Sequence, residues 1–242
     1  SFLKKIDVHC HVLPGLDDGA QDIKESIQML KIAKRQKICA VIATPHYSHH
    51  FQNSDPQAIR EMCRTLELKA RQEVDPRFRV YPGQEIFNSE EILDRLEQKT
   101  VSTMADGSYV LIEFHPSVPY SDIFRTVQNL LYHQYRPILA HAERYTVLRK
   151  NDKMEELIQL GVYIQLNYRS VGGKWYDEKT RWCRKMLKEG KVHFLGTDMH
   201  NTKTRCPDTL RADIWMAKHL EPSYIKEISY GNPIKIIKDE KI

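Results

Sequence analysis

Strand-length runs of uninterrupted apolar residues alternate along this chain with segments of helical periodicity. The clearest run is Ile-Cys-Ala-Val-Ile-Ala at residues 38–43, and comparable runs follow at intervals along the chain. A strand that is apolar on both faces belongs in a parallel sheet, because helices then cover both sides of it. Residues 21–36 and 56–73 carry apolar side chains three and four positions apart, which is typical of an amphipathic helix. The alternation therefore predicts an α/β protein built from β/α units.

About seven such units are predicted, and within 242 residues they favour a single (β/α) barrel spanning residues 1–242, with seven strands rather than eight. The predicted strands are the opening segment up to residue 11 and residues 38–43, 78–81, 109–112, 137–140, 162–166 and 192–195. The predicted helices are residues 21–36, 56–73, 90–97, 122–133, 152–160, 177–189, 207–220 and 222–227. No linker rich in Pro, Gly or Ser divides the chain. A doubly wound open sheet remains the alternative architecture.

Histidine and carboxylate side chains stand at the carboxyl-terminal ends of nearly all the predicted strands. His9 and His11 lie two residues apart, so their side chains point to one face of the opening strand. The same spacing recurs at Asp198 and His200. The complete set is His9, His11, His46, Glu85, Glu113, His141, Asp198 and His200, with Asp17 and Asp18 in the turn after the first strand. In a β/α barrel these strand ends form one mouth, where active sites lie.

This set contains only nitrogen and oxygen ligands, which favours Mn, Fe or Zn over a thiolate-bound structural zinc. One ion takes four or five ligands, so a set of this size implies roughly two or three ions that share bridging carboxylates. Cys10 lies between the two histidines and is expected to point to the opposite face, into packing. The sequence therefore predicts a polynuclear metal centre at the mouth of the barrel.

Composition and charge indicate the cellular compartment and the kind of substrate that the chain would bind. The five cysteines are an odd number without a C-x-x-C pair, which predicts reduced thiols and a cytoplasmic protein. The net charge of +5 is spread over the chain, so it fits an anionic substrate better than nucleic acid, for which we expect a basic stripe with interleaved aromatics. No run of 18 apolar residues is present, so no membrane insertion is expected.

The chain lacks the sequence motifs of several classes of hydrolase. A cysteine-dependent phosphatase needs an arginine six positions after its nucleophile, and none of the five cysteines has one there. The G-x-S-x-G elbow of serine hydrolases and the G-x-x-x-x-G-K-[ST] loop are also absent. A non-catalytic binding or regulatory module that uses a degenerate site is the alternative outside the enzymes.

Taken in order, the strand-end motifs resemble those of the polymerase and histidinol phosphatase superfamily. These motifs are residues 9–11 (HCH), 44–46 (TPH), 83–85 (GQE), 111–114 (LIEF), 141–145 (HAERY) and 198–201 (DMHN). Residues 13–19 (LPGLDDG), 112–114 (IEF) and 143–145 (ERY) narrow the resemblance to one branch. That branch is the bacterial manganese-dependent protein-tyrosine phosphatases of capsular and exopolysaccharide gene clusters.

The resemblance implies a distorted barrel that binds three metal ions, with manganese as the expected cofactor. It assigns one ion to His9, His11, Glu85 and Asp198. Glu85 would bridge to a second ion held by Glu113 and His141, and the third ion would be held by Asp18, His46 and His200. Arg144 and Arg205 match the catalytic arginines that bind phosphate. The sequence leaves open whether Asp17 or Asp18 is the ligand.

The resemblance also implies a substrate. It would be phosphotyrosine on the tail of a bacterial tyrosine kinase that regulates capsular or exopolysaccharide synthesis. The alternative is another metallophosphoesterase of the same superfamily, such as a histidinol phosphatase.

Overall fold

A computed structural model of the chain describes residues 3–51 and 55–242. Over these residues the strands are β1 (Lys5–Cys10), β2 (Ile38–Ala43), β3 (His46–Tyr47), β4 (Arg79–Pro82), β5 (Glu85–Phe87), β6 (Tyr109–Glu113), β7 (Arg136–Leu139), β8 (Tyr163–Asn167) and β9 (Phe194–Gly196). The paired strands run parallel, in the orders β1-β2-β4 and β3-β5-β6-β7-β8-β9.

The nine strands occupy seven strand positions of the barrel, because two of these positions are each divided into two short strands. Only Thr44 and Pro45 separate β2 from β3, and only Gly83 and Gln84 separate β4 from β5. The strand order follows the chain order without a reversal, so the sheet is not a doubly wound one. Backbone hydrogen bonds also join the end of β9 to β1, from the N–H of Asp198 to the carbonyl of His9 at 2.7 Å and from the N–H of His11 to the carbonyl of Met199 at 2.9 Å. The predicted distorted (β/α) barrel is confirmed.

The helices cover the outside of this sheet. They are α1 (Ile23–Arg35), α2 (Pro56–Glu73), α3 (Ile92–Glu97), α4 (Tyr120–Tyr132), α5 (Lys153–Leu160), α6 (Tyr168–Val171), α7 (Glu178–Lys188), α8 (Leu210–His219), α9 (Pro222–Lys226) and α10 (Asn232–Lys238). Local chemistry sets several ends: the Asp22 carboxylate caps α1 by accepting the N–H of Glu25, and Gly161 ends α5 with a φ of 115°. None of the described helices is long and apolar enough to cross a membrane.

Both faces of the strands are buried, as the continuous apolar runs predicted. On β6, Tyr109 and Leu111 belong to an apolar cluster inside the barrel, whereas Val110 and Ile112 belong to the cluster between the sheet and the helices. This alternation follows from the two-residue period of a strand. Gly83 lies where the inner packing is close, because a Cβ there would approach Ile42 Cγ2 to 2.9 Å. The buried barrel supplies a rigid base for the loops at its mouth.

Two helical predictions need correction. The predicted helix at 207–220 begins only at Leu210, because Thr209 is held by side chains of other segments: its N–H donates to Gln36 Oε1 at 2.6 Å, and its hydroxyl accepts from Lys5 Nζ at 3.0 Å. The predicted helix at 222–227 continues through a π-helical turn into α10 and ends at Lys238. Pro233 lies at the start of α10, directly after the π-helical turn.

Candidate metal centre

The first group of candidate ligands joins β1 to the ends of two distant strands. His9 Nε2 lies 3.1 Å from Glu85 Oε2 and 3.3 Å from Asp198 Oδ1. His11 Nε2 lies 3.2 Å from the carboxylate oxygens of both residues, Glu85 Oε1 and Asp198 Oδ1. All four side chains are buried, and their ligand atoms lie within 4.8 Å of one another. This is the set that the sequence assigned to one ion.

Glu85 also belongs to a second group. His141 Nε2 lies 2.9 Å from Glu85 Oε2 and 2.9 Å from Glu113 Oε2. Glu85 therefore presents both oxygens to imidazoles, Oε1 to His11 and His46 and Oε2 to His9 and His141. His46 Nδ1 completes this side of the mouth at 3.1 Å from Glu85 Oε1.

A third group lies at the outer rim. Asp18 Oδ1 is 3.4 Å from His46 Nε2 and 3.3 Å from His200 Nε2. One ring nitrogen of His46, Nε2, therefore faces the rim, and the other, Nδ1, faces Glu85. The two neighbouring imidazoles, His200 and His46, hold the pKa of Asp18 well below its usual range, so its carboxylate is ionised at neutral pH.

The structure gives Asp17 and Asp18 different surroundings. Asp17 is buried, and its Oδ2 accepts from His11 Nδ1 at 2.8 Å and from the N–H of His46 at 2.9 Å. Its Oδ1 accepts the N–H of Gly19 at 2.9 Å. Asp17 therefore orients the ring of His11, whereas Asp18 presents an oxygen to the rim.

Two further buried imidazoles, His9 and His200, are oriented in the same way, through Nδ1. His9 Nδ1 donates to Gln165 Oε1 at 2.8 Å, and His200 Nδ1 donates to the carbonyl of Asp198 at 2.8 Å. Each of these bonds selects the tautomer that leaves the Nε2 lone pair directed into the mouth, as ligating histidines require. The sequence analysis missed Gln165. Its signal was a polar side chain within the otherwise apolar run of β8.

Backbone conformation at two strand ends also serves the site. His141 and Asp198 have φ angles of 32° and 52°, in the left-handed region that costs an L-residue roughly 1–2 kcal/mol. Hydrogen bonds hold both backbones in place, from the N–H of His141 to Gln165 Oε1 at 2.7 Å and from the N–H of Asp198 to His9. Strained backbone held by its surroundings is common at functional sites.

The residues at the mouth fit a bound cation. Among the described residues, both oxygens of Glu85 and Nε2 of His200 are buried without a hydrogen-bond partner. Burial alone would raise the pKa of Glu85, but His9, His11 and His141 together hold it well below its usual range. A buried ionised carboxylate without hydrogen bonds is costly unless a cation compensates it, and imidazole and carboxylate donors suit a divalent transition metal.

Both predicted arginines reach this mouth. Arg144 Nη2 lies 2.9 Å from Asp198 Oδ2, and Arg205 Nη2 lies 3.3 Å from the same oxygen. Arg144 sits on a short 3₁₀ turn, Ala142–Arg144, that directly follows His141. Their positions place two permanently charged guanidinium groups at one corner of the candidate metal centre. Such groups bind phosphate through paired hydrogen bonds.

The cysteines lie apart from this chemistry. All five are free thiols, and Cys10 is buried in the packing behind β1, on the face opposite the histidines. Burial raises the pKa of Cys10 well above its usual range and that of Cys63 to about 12, so neither thiol is a ready nucleophile. Beyond the ligand set above, the other described histidines belong to none of the three groups.

A parallel β/α barrel with clustered imidazoles and carboxylates at its carboxyl-terminal mouth defines a class, the barrel proteins with a cluster of candidate metal ligands at the mouth. The family model of capsular polysaccharide synthesis proteins, CpsB/CapC, matches residues 5–238. The chain belongs to this family, and the resemblance stated from the sequence is confirmed.

Individual relatives agree with this assignment. Tyrosine-protein phosphatase YwqE of Bacillus subtilis is 34% identical over 205 residues, which cover 83% of this chain and 79% of that protein. Tyrosine-protein phosphatase CpsB of Streptococcus pneumoniae is 32% identical over 243 residues, covering 98% of this chain and 100% of that protein.

Solved structures show the same relationship. The crystal structures of YwqE and CpsB, described as unique metal-dependent tyrosine phosphatases, give a match with a TM-score of 0.87 and 31% identity, covering 98% of this chain and 96% of the other. The phosphotriesterase homology protein of Escherichia coli shares the fold, with a TM-score of 0.60 at 13% identity over 96% of this chain and 97% of the other.

Proposed function

We propose that this chain is a metal-dependent protein-tyrosine phosphatase of capsular polysaccharide synthesis. The observation that carries the proposal is the position of two arginines, both against Asp198, at the corner of a mouth lined with imidazoles and carboxylates. The arrangement combines cation ligands with phosphate-binding groups. The relatives named as tyrosine-protein phosphatases support the tyrosine specificity.

We propose one divalent ion for each group of ligands, with manganese as the cofactor and iron or zinc as alternatives. The first ion would be held by His9, His11, Glu85 and Asp198, the second by Glu85, Glu113 and His141, and the third by Asp18, His46 and His200. Three groups of mutually close ligand atoms support this count, namely His9, His11, Glu85 and Asp198; His46, Glu85 and Glu113; and His11, Asp18, His46 and His200. His141 belongs to none of these groups, but its Nε2 lies 2.9 Å from both Glu85 Oε2 and Glu113 Oε2. When bound, such ions lower the pKa of a water molecule and neutralise the oxygens of a phosphate group.

The residues of the chain account for the remaining requirements of the reaction. Arg144 and Arg205 would hold the phosphate oxygens, because both guanidinium groups converge on one point of the mouth. Gln165 and Asp17 hold the imidazoles that face it. Tyrosine suits the reaction as a leaving group, because a phenol with a pKa of about 10 departs far more easily than the alkoxide of serine.

The proposed physiological substrate is phosphotyrosine on the tail of a bacterial tyrosine kinase that regulates polysaccharide synthesis. The family match, which spans residues 5–238, supports a single catalytic domain over residues 1–242. The free cysteines support a cytoplasmic location. No nucleic acid or membrane lipid is part of the proposal.

Substrate selection distinguishes this function from histidinol phosphate hydrolysis on the same scaffold. Purified protein supplied with Mn²⁺ is assayed for phosphate release from a phosphotyrosine peptide, the matching phosphoserine peptide and histidinol phosphate. We expect the highest kcat/KM on phosphotyrosine. His141→Ala should abolish this activity, whereas His133→Ala, at an exposed histidine after α4, serves as the matched control and should retain it. A preference for histidinol phosphate would refute the proposal and favour the biosynthetic alternative.

A further inference from the structure

A cavity of about 460 Å³ adjoins the candidate metal centre on the side of the two arginines. It extends from Arg144, Arg205 and Asp198 towards the segment that joins α6 to α7 and the first turn of α7. Arg169, Lys174 and Lys179 line this extension, and we call these three residues the basic groove. Its position places it beside any substrate whose phosphate binds to Arg144 and Arg205.

The charges in the cavity are unbalanced. Two carboxylates line it, Asp177 and Asp198. Asp198 is already paired with Arg144 and Arg205, and Asp177 begins α7 by accepting the N–H of Lys179 at 2.9 Å. Within residues 3–51 and 55–242, no charged side-chain nitrogen of the basic groove lies within 4.0 Å of a carboxylate oxygen. The groove therefore presents net positive potential beside the catalytic corner.

The hydrogen bonds of Arg169 do not neutralise its positive charge. Its guanidinium donates to the carbonyl of Thr204 at 3.1 Å and to that of Cys206 at 3.0 Å, the two residues that flank Arg205. Both acceptors are neutral, so the positive charge is not cancelled. Arg169 thus fixes the segment that carries Arg205 and joins the basic groove to the phosphate-binding corner.

Exposed aromatic rings border the same groove. Trp175 and Tyr176 are 76% and 56% exposed, and their ring centroids lie 5.7 Å apart with the planes at 83°. They belong to residues 172–177, between α6 and α7, next to Lys174. Large exposed apolar side chains rimmed by charged residues are typical of surfaces that contact another molecule.

We propose that the basic groove binds the polypeptide that flanks the phosphotyrosine and selects substrates with acidic side chains there, with Trp175 and Tyr176 contacting its apolar parts. This inference rests on the proposed phosphatase function and adds a substrate class to it. A peptide is favoured because the groove is short, continuous with the catalytic corner, and bordered by aromatic side chains suited to peptide contacts.

Two phosphotyrosine peptides of equal length, one with glutamates and one with glutamines beside the phosphotyrosine, test the proposal. We expect the Mn²⁺-loaded protein to hydrolyse the glutamate peptide with a kcat/KM about tenfold higher at low salt, because two or three exposed charge pairs contribute on that scale. The preference should shrink as NaCl is raised, since salt screens exposed charges.

The decisive variant is Lys174→Glu/Lys179→Glu. It should remove the preference for the glutamate peptide, measured as the ratio of kcat/KM on the two peptides, because both lysines line the groove. Lys185→Glu/Lys226→Glu makes the same change in net charge outside the cavity and should keep the preference. The milder Lys174→Gln/Lys179→Gln, which should reduce the preference partway, provides the test if the charge-reversed protein does not fold.

Equal hydrolysis of both peptides by the unaltered protein would overturn the proposal while leaving phosphatase activity intact. An equal loss of preference in both charge-reversed proteins would also overturn it, because the effect would then reflect net charge alone. A single-stranded oligonucleotide serves as a further competitor in the phosphatase assay. If it inhibits hydrolysis at the same concentration as the glutamate peptide, the groove binds polyanions in general, and the proposal of a peptide site is overturned. Hydrolysis of neither peptide would overturn the phosphatase function together with this inference.

Discussion

The substitution Asp17→Asn tests whether Asp17 or Asp18 is the metal ligand, a choice that the sequence leaves open. Asp17 is buried and accepts three hydrogen bonds, from His11 Nδ1 and from the N–H groups of His46 and Gly19. Asparagine has nearly the same shape but only one acceptor oxygen and no charge. Asp17→Asn should therefore loosen the orientation of His11 without removing an atom that faces the mouth.

The size of the effect follows from these contacts. Loss of one charge-assisted hydrogen bond costs about 1.5–3 kcal/mol, and changes to groups that orient a metal-ligating histidine typically lower metal affinity or activity about 10–100-fold. Asp18→Asn should be more severe, because Asp18 Oδ1 is itself the atom facing His46 and His200. Asp122→Asn, on the exposed surface of α4, should change neither property.

The assay measures metal affinity by titrating Mn²⁺ into chelator-stripped protein and following phosphate release from a phosphotyrosine peptide. We expect Asp17→Asn to need more Mn²⁺ and to recover part of its activity at saturation, whereas Asp18→Asn should retain little activity at any Mn²⁺ concentration. The reasoning is refuted if Asp17→Asn is inactive at saturating Mn²⁺ while Asp18→Asn is nearly normal, because Asp17 would then be the ligand.

Three further predictions concern the arginine corner, acid stability and packing. Arg205→Lys keeps the charge but loses the paired donors, so kcat/KM on phosphotyrosine peptides should fall about tenfold while the melting temperature stays unchanged. Burial lowers the pKa of His193 from 6.5 to about 4, and its Nδ1 accepts the N–H of Ile164 at 2.9 Å. Between pH 4 and pH 6.5 the unfolded chain therefore binds more protons than the folded chain. As a result, up to about 3 kcal/mol of the free energy of unfolding that is present above pH 6.5 is lost as the pH falls to 4. His193→Asn, which keeps an acceptor but does not titrate, should flatten this part of the pH-stability curve in urea unfolding; an unchanged curve would contradict the assignment. Gly83→Ala should lower the free energy of unfolding by about 1–3 kcal/mol, because the new methyl group would overlap Ile42, and equal stability would show that the barrel interior yields there.

The ring of ligands was predictable because a parallel barrel leaves few places for a strand to end. Once 38–43 and 137–140 were assigned as strands, His46 and His141 had to lie at the same mouth as His9. The interruptions after Ala43 and Pro82 were visible as Pro and Gly in the sequence. Periodicity placed most helices correctly, because each buries one apolar stripe against the sheet.

The positioning groups were not predictable in the same way. Gln165 holds the imidazole of His9 across 156 positions, and Arg169 holds the segment around Arg205 across more than 30. No local pattern encodes such a bond, since it depends on where two distant elements pack. The different surroundings of Asp17 and Asp18 likewise arise from a one-residue difference in a turn, because they depend on where His11 and His46 lie.

The central claim is that three groups of ligands hold divalent ions that the phosphatase reaction requires. The most direct measurement is the metal content of stripped protein after dialysis against Mn²⁺, determined by mass spectrometry alongside phosphate release from a phosphotyrosine peptide. The account predicts one ion for each group, about three per chain, with activity that disappears on stripping and returns with Mn²⁺. Full activity in metal-free protein, or a single ion per chain in fully active protein, would contradict it.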